Sequence, residues 1–191
     1  ILIQYINTMS SLFSKKNHTK KILLIQGSLN PESYTAVLID EVSKLLEKRG
    51  IAHDVLDIRT VDMDFCDGRA VENYNPDTQR AYNQVKQADG YIFGMPVYSY
   101  SISGALKNLI DITSGAMEKK GAGILCNSGG PRSYLASVDL MKILSFEADV
   151  VTVQPVVHTD RNSFRDGNIF DDHVLELINE MIEAISKYLA S

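Results

Sequence analysis

From Lys21 onward the chain deals out its apolar residues in one repeating pattern: a short apolar run, a loop opened by glycine or proline, then a longer stretch at helical spacing. That alternation constrains the fold more than any single motif, because it is the signature of a parallel sheet whose strands are joined by crossover helices. Lys21 to Gln26 (Lys-Ile-Leu-Leu-Ile-Gln) reads as a buried first strand, and Gly27 breaks it. Leu38, Val42 and Leu45 then recur at helical spacing as far as Arg49, where Gly50 supplies the left-handed stop that helices favour.

The pattern continues to the end of the chain. Ile51 to Ile58 alternates with polar interruptions and reads as an edge strand, with His53 facing solvent; residues 59–76 form a long irregular stretch. Pro76 and Asp77 open a helix through Ala88, and Tyr91 to Gly94 is the third strand, leading directly into Met95-Pro96-Val97-Tyr98. A helix from about Ser101 to Thr113, a fourth strand from Gly123 to Cys126 and a helix from about Pro131 to Phe146 follow. Val150 to His158 is a β-branched fifth strand in which Pro155 argues for an edge position or a bulge. A polar connection, Thr159 to Asn168, leads to a last helix over Asp171 to Leu189. The expectation is an α/β, flavodoxin-like three-layer sandwich around a five-stranded parallel sheet of order 2-1-3-4-5.

At 191 residues, with 45% hydrophobic and 23% charged residues, one compact domain over 21–191 is expected. Residues 1–20 differ: they contain no acidic residue, carry Lys15, Lys16 and Lys20, and hold Met9 inside a segment that begins with Ile. They read as a vector-derived or disordered arm, with a partner-binding extension or a targeting segment as the other readings. A core of this size needs neither disulfide nor structural metal, and Cys66 and Cys126 form no Cys-x-x-Cys pair, which fits a reducing, cytoplasmic compartment. A net charge of −5 with scattered Lys and Arg gives no nucleic-acid footprint, and no apolar run approaches the ~18 residues needed to span a bilayer. His18, His53, His158 and His173 are isolated, and the acidic stretch 62–72 fails the calcium-loop template at Cys66, Asp67 and Asn73, so no metal is expected.

Ligands of such sheets bind beyond the carboxyl ends of the strands, where the strand order reverses. The first loop there, Gly27-Ser28-Leu29-Asn30-Pro31-Glu32-Ser33-Tyr34-Thr35, joins a strand to a helix and is rich in hydroxyls at Ser28, Ser33 and Thr35, with Asn30 as a further donor and Tyr34 beside them. Unpaired N–H groups and the helix dipole favour a dianion at a helix start, so a terminal phosphate fits this loop. Taken alone, serines at a helix start are plain N-caps, and the loop matches neither the Walker pattern nor Gly-x-Gly-x-x-Gly. The third loop, Asn127-Ser128-Gly129-Gly130-Pro131-Arg132, has two glycines that let backbone lie close to a ligand; Arg132 is a candidate for a dinucleotide phosphate.

The second loop carries a resemblance. Gly94-Met95-Pro96-Val97-Tyr98-Ser99-Tyr100-Ser101-Ile102-Ser103-Gly104-Ala105-Leu106-Lys107-Asn108, with Asp111 beyond it, resembles the Pro-x-Tyr, small-residue, Gly-Ala-Leu-Lys-Asn, Asp signature of the NADPH-dependent FMN reductases. With the Ser28 loop and the Ser128-Gly129-Gly130 loop, the likeness extends from Lys21 to about His158. It implies FMN as cofactor, NADPH or NADH as cosubstrate, and a flavin, quinone or similar final acceptor. It also implies a homodimer or homotetramer. Pro96, Val97 and Tyr98 would wall the flavin ring, Ser99 would let backbone approach it, and Ser128, Gly129 and Gly130 would border its carbonyl edge. The chain departs from the family's commonest phosphate loop, in which an arginine often stands near Asn30. A flavodoxin-type electron carrier or flavin sensor without nicotinamide turnover is the alternative. A phosphoacceptor receiver or a hydrolase fails for want of its acidic cluster or its Gly-x-Ser-x-Gly elbow.

Overall fold

The computed structural model describes residues 20–191. Of the arm read over 1–20, only Lys20 lies among the described residues. The main sheet consists of β1 (Ile22–Gln26), β2 (His53–Asp57), β3 (Gly90–Tyr98), a short β4 (Ser101–Ile102), β5 (Gly121–Asn127), β6 (Val151–Thr152) and β7 (Val157–Thr159), all parallel except β4. The helices are α1 (Tyr34–Lys48), α2 (Pro76–Gln87), α3 (Gly104–Thr113), α4 (Ser137–Ala148) and α5 (Asp172–Ala190).

The sheet runs β2-β1-β3-β5-β6, with β7 also on β5 and β4 antiparallel to β3. β6 and β7 are the two halves of the expected fifth strand, so the order 2-1-3-4-5 holds with more strands than five. Pro155, which has no N–H to give, stands in the gap between the halves on the sheet's edge.

Alternation along β1 explains the three layers. Ile22 and Leu24 face a core shared with Leu38, Val42 and Leu46 of α1 and Ile178, Ile182 and Ile185 of α5. Leu23 and Ile25 face the opposite core with Val85 of α2, Leu106, Leu109 and Ile110 of α3, and Leu140 and Leu144 of α4. Both faces of the strand are buried, so it carries no polar alternation.

Three elements differ from the sequence reading. β3 continues to Tyr98 instead of ending at Gly94, then turns back as a hairpin through Ser99 and Tyr100 into β4. The helix expected from Pro131 starts with 3-10 turns over Pro131–Ala136 and becomes α-helical only at Ser137. The polar connection after Thr159 holds a small hairpin, β8 (Phe164–Arg165) with β9 (Asn168–Ile169). His53 is half-buried, with its ring nitrogens on Ser43 Oγ (2.8 Å) and the Ile51 carbonyl (3.0 Å).

Candidate functional site

Strand order reverses between β1 and β3, and the loops that follow these strands meet there. Gly27 N–H donates to the Gly94 carbonyl at 2.9 Å. A Cβ on Gly27 would come within 2.6 Å of that carbonyl oxygen, and one on Gly94 within 2.8 Å of the Thr35 and Ile39 side chains, so only glycine permits the approach. Ser103, the N-cap of α3, donates through Oγ to the Gly27 carbonyl at 2.8 Å and so ties a third element to the first loop.

Within that loop the hydroxyls act first as acceptors. Ser28 Oγ accepts from Asn30 N–H (3.2 Å), Ser33 Oγ from Thr35 N–H (3.1 Å), and Asn30 Oδ1 from Glu32 N–H (3.0 Å). The Ser28 and Ser33 protons and the Asn30 amide hydrogens are therefore left to donate. Ser28, Ser33 and Thr35 are buried, and Ser33 caps α1, whose positive end faces the same space. The donor set fits a dianionic phosphate: each hydrogen bond to a charged oxygen is worth about 1.5–3 kcal/mol, against about 0.3–2 for the dipole.

The loop is braced from β2. Gln26, 1% exposed, bonds both the N–H and the carbonyl of Ser28, and its remaining amide hydrogen reaches Asp57 Oδ1 at 3.0 Å. Arg59 forks onto the Asp57 carboxylate and donates through Nη1 to the Pro31 carbonyl at 3.3 Å. Burial raises the Asp57 carboxyl, but the hydrogen bonds and charge of Arg59, with Gln26 added, outweigh it and hold the group below its ordinary 3.8.

Pro96 is buried, Val97 half-buried and Tyr98 51% exposed, so the shelf has a covered inner end and an open outer one. Ser99 and Tyr100 adopt left-handed φ values of 51° and 62°, the geometry of a two-residue type I′ hairpin. On the far side the third loop is pinned to β7: Ser128 N–H donates to the Thr159 carbonyl (3.0 Å), Ser128 Oγ to the Gly130 carbonyl (2.7 Å) and Asn127 Nδ2 to Thr159 Oγ1 (2.9 Å).

These loops enclose one cleft of about 350 Å³. Ser28, Asn30, Ser33, Tyr34, Thr35, Pro96, Val97, Tyr98, Ser128 and Gly129 all line it. Ser99 and Gly130 do not: Ser99 sits at the hairpin turn, and the Gly130 carbonyl is turned back onto Ser128. Glu32, Asn127 and Arg161 also line the cleft; the first two belong to the expected site loops without being singled out as contacts, and Arg161 was not foreseen. Asn127 was legible as the last residue of a strand entering a glycine loop. Arg161 gave no signal, because it arrives from a polar stretch after the fifth strand. Arg132 and Tyr134 lie outside the cleft; Tyr134 lines a neighbouring hollow of about 330 Å³ with His158, whose imidazole burial pushes below 6.5. Burial pushes the Cys126 thiol up to about 12, which leaves it unreactive. Among the described residues, no cluster of His, Cys, Asp or Glu could hold a metal ion.

Residues 20–163 match the family model described as NADPH-dependent FMN reductase. The chain belongs to the NADPH-dependent FMN reductase family. The reductase is 35% identical over 169 residues to an NAD(P)H-dependent FAD/FMN reductase of Geobacillus thermodenitrificans, covering 84% of this chain and 89% of that one. It is 30% identical over 178 residues to an NAD(P)H-dependent FMN reductase of Pseudomonas aeruginosa, covering 88% and 95%. Among solved structures, an NADH:FMN oxidoreductase superposes with a TM-score of 0.72 at 24% identity, over 88% of this chain and 90% of that one, a likeness of fold alone. The reductase is an oxidoreductase of the NAD(P)H-dependent, FMN-using kind.

Proposed function

We propose that this cleft is the flavin site, with the FMN phosphate at Ser28, Asn30, Ser33, Tyr34 and Thr35 and the ring between the Pro96–Tyr98 shelf and the Ser128–Gly130 loop. Hydride from NADPH or NADH enters there and leaves to a free flavin, a quinone or a similar acceptor. The observation that carries this reading is the convergence of a hydroxyl-rich helix start and a proline-tyrosine shelf, far apart in sequence, on one cleft. Bound FMN supplies the hydride-accepting ring, so the chain's task is to bind, orient and shield it. The loop hydroxyls anchor the phosphate, Pro96 and Val97 present an apolar wall, and an aromatic contact from Tyr98 adds about 0.5–1.5 kcal/mol beyond burial. The exposed outer end at Tyr98 leaves room for a nicotinamide beside the ring.

A flavin titration followed by anaerobic NADPH addition tests the reading. A yellow complex that bleaches on NADPH is expected. A complex that forms but never bleaches would favour an electron carrier, and the absence of any complex would overturn the assignment of the cleft.

The reductase is further proposed to work as a homodimer or homotetramer on small-molecule substrates, in the cytoplasm and without nucleic-acid or membrane partners. Val138, Met141, Phe146 and Val151 line one groove along the outer side of α4, and Phe146 is 89% exposed. An apolar helix face of this kind is the usual mark of a covered surface. Among the described residues no helix is long and apolar enough to cross a membrane, and the exposed free thiol of Cys66 suits a reducing compartment.

A further inference from the structure

We infer that Arg161 is the cation that recognises the phosphate end of the flavin. The inference rests on the assignment of the cleft made above and adds to it the residue that discriminates between phosphorylated and unphosphorylated flavin.

The phosphate loop has a charge deficit. From Gly27 to Thr35 it holds no lysine or arginine, and its single charge is the carboxylate of Glu32. A phosphomonoester carries about −1.5 to −2 at pH 7, so helix dipole and hydroxyls alone would face it with one like charge already beside them. Arg161 is the only cationic side chain lining the cleft among the described residues.

The fold delivers that side chain from a distance and holds it in place. Asp160 caps the single turn Arg161–Ser163 with a reciprocal bond to Ser163. Three residues beyond Arg161, Phe164 stacks on Tyr34, the first residue of α1, with ring centroids 4.3 Å apart and planes 17° from parallel. That stack docks the turn against the helix start on which the phosphate would sit. On the other side, Arg161 Nε donates to the Gly129 carbonyl at 3.1 Å, which fixes the plane of the guanidinium. Among the described residues its two terminal nitrogens make no hydrogen bond, and no carboxylate lies within 4.0 Å. A guanidinium anchored by Nε with both terminal nitrogens unspent presents the forked donor pair that matches two phosphate oxygens.

The competing use of the same chemistry is a phosphate of the nicotinamide dinucleotide, and the test separates the two. FMN and riboflavin are titrated into the wild-type chain, Arg161→Gln and Arg161→Lys by flavin fluorescence, and the NADPH KM is measured alongside. Arg161→Gln is expected to weaken FMN by about tenfold or more while riboflavin affinity stays within about twofold, with Arg161→Lys recovering part of the loss. Unchanged riboflavin binding also reports an intact cleft. The inference is overturned if FMN and riboflavin weaken together, if neither changes, or if only the NADPH KM rises. Failure of the wild-type chain to bind either flavin would instead sink the assignment of the cleft.

Discussion

Gln26 grips Ser28 at both of its backbone polar groups: Oε1 accepts the Ser28 N–H at 2.6 Å, and Nε2 donates to the Ser28 carbonyl at 2.7 Å. One amide side chain thus does for the first turn of the phosphate loop what a neighbouring strand does for a sheet. Its last hydrogen goes to Asp57 on β2, which also fixes the amide's orientation, since reversing it would set acceptor against acceptor at the carboxylate and donor against donor at the Ser28 N–H. Through Arg59 the same chain of bonds reaches the Pro31 carbonyl, so β2 shapes a loop that it never enters.

Replacing Gln26 by Met keeps the volume and removes all three bonds that its amide makes. Ser28 would be left with an unpaired N–H and carbonyl in a buried site, each costing about 1–3 kcal/mol. The expected outcome is a chain destabilised by about 2–3 kcal/mol in denaturant unfolding, with FMN affinity down about tenfold as the loop loosens. Gln26→Glu should rescue neither property, because a carboxylate cannot donate to the Ser28 carbonyl and would repel Asp57.

Where local pattern and tertiary packing agree, the sequence showed the structure. β1 was legible because Ile22 to Ile25 are buried on both faces, and the site loops were legible because glycine and hydroxyls cluster at strand ends. The continuation of β3 was hidden by Pro96, which reads as a strand breaker. β1 stops at Gln26 opposite Gly94, and Gly94 and Pro96 turn their backbone groups to that same side, so the proline forfeits no ladder bond. The hairpin at 164–169 was hidden for another reason: its anchor is the Tyr34–Phe164 stack, a contact across 130 positions of sequence that no local period records. Arg161 was lost with it.

Ser28→Ala with Ser33→Ala should weaken FMN binding by about 2 kcal/mol or more, roughly thirtyfold in Kd, since two of the loop's donors to the phosphate go at once. Each change also strips a backbone N–H, of Asn30 or Thr35, of its acceptor. A fluorescence titration measures the first effect. Unchanged affinity would contradict the phosphate assignment while leaving the fold untouched.

His158 gives the stability a pH dependence with a definite sign. Burial holds its folded-state value below the ordinary 6.5, so between that lowered value and 6.5 the unfolded chain binds more protons than the folded one. Stability should therefore rise with pH through this window and fall as pH drops below about 6.5. Urea midpoints measured at steps from pH 7.5 to 5 should show the decline in the wild-type chain and a flatter profile in His158→Gln.

The β3–β4 turn places two ordinary side chains in the left-handed region, at Ser99 and Tyr100. Each costs about 1 kcal/mol relative to asparagine or glycine, the residues that type I′ turns prefer. Ser99→Asn with Tyr100→Gly should raise stability by about 1–2 kcal/mol in denaturant unfolding. If Tyr100 serves only the turn, NADPH turnover with FMN will be unchanged. A fall in turnover at unchanged FMN affinity would place its exposed ring in contact with the second substrate.

Phe146 offers the sharpest test of the assembly. It stands 89% exposed on α4, beside Val138, Met141 and Val151 in one groove, and none of the described residues covers it. A phenylalanine side chain left in water forgoes about 2–3 kcal/mol of burial, and an interface recovers this from two copies at once. Phe146→Glu puts a carboxylate into that groove, where burial against a second copy penalises it by more than an exposed ion pair with Lys142 of the same lining repays. Light scattering should show the wild-type reductase as a dimer or tetramer and the variant one step smaller, with thermal unfolding of each protomer still cooperative. An identical mass for both would exclude this face from the interface and move the search to other exposed apolar residues, Leu135 and Phe65 among them.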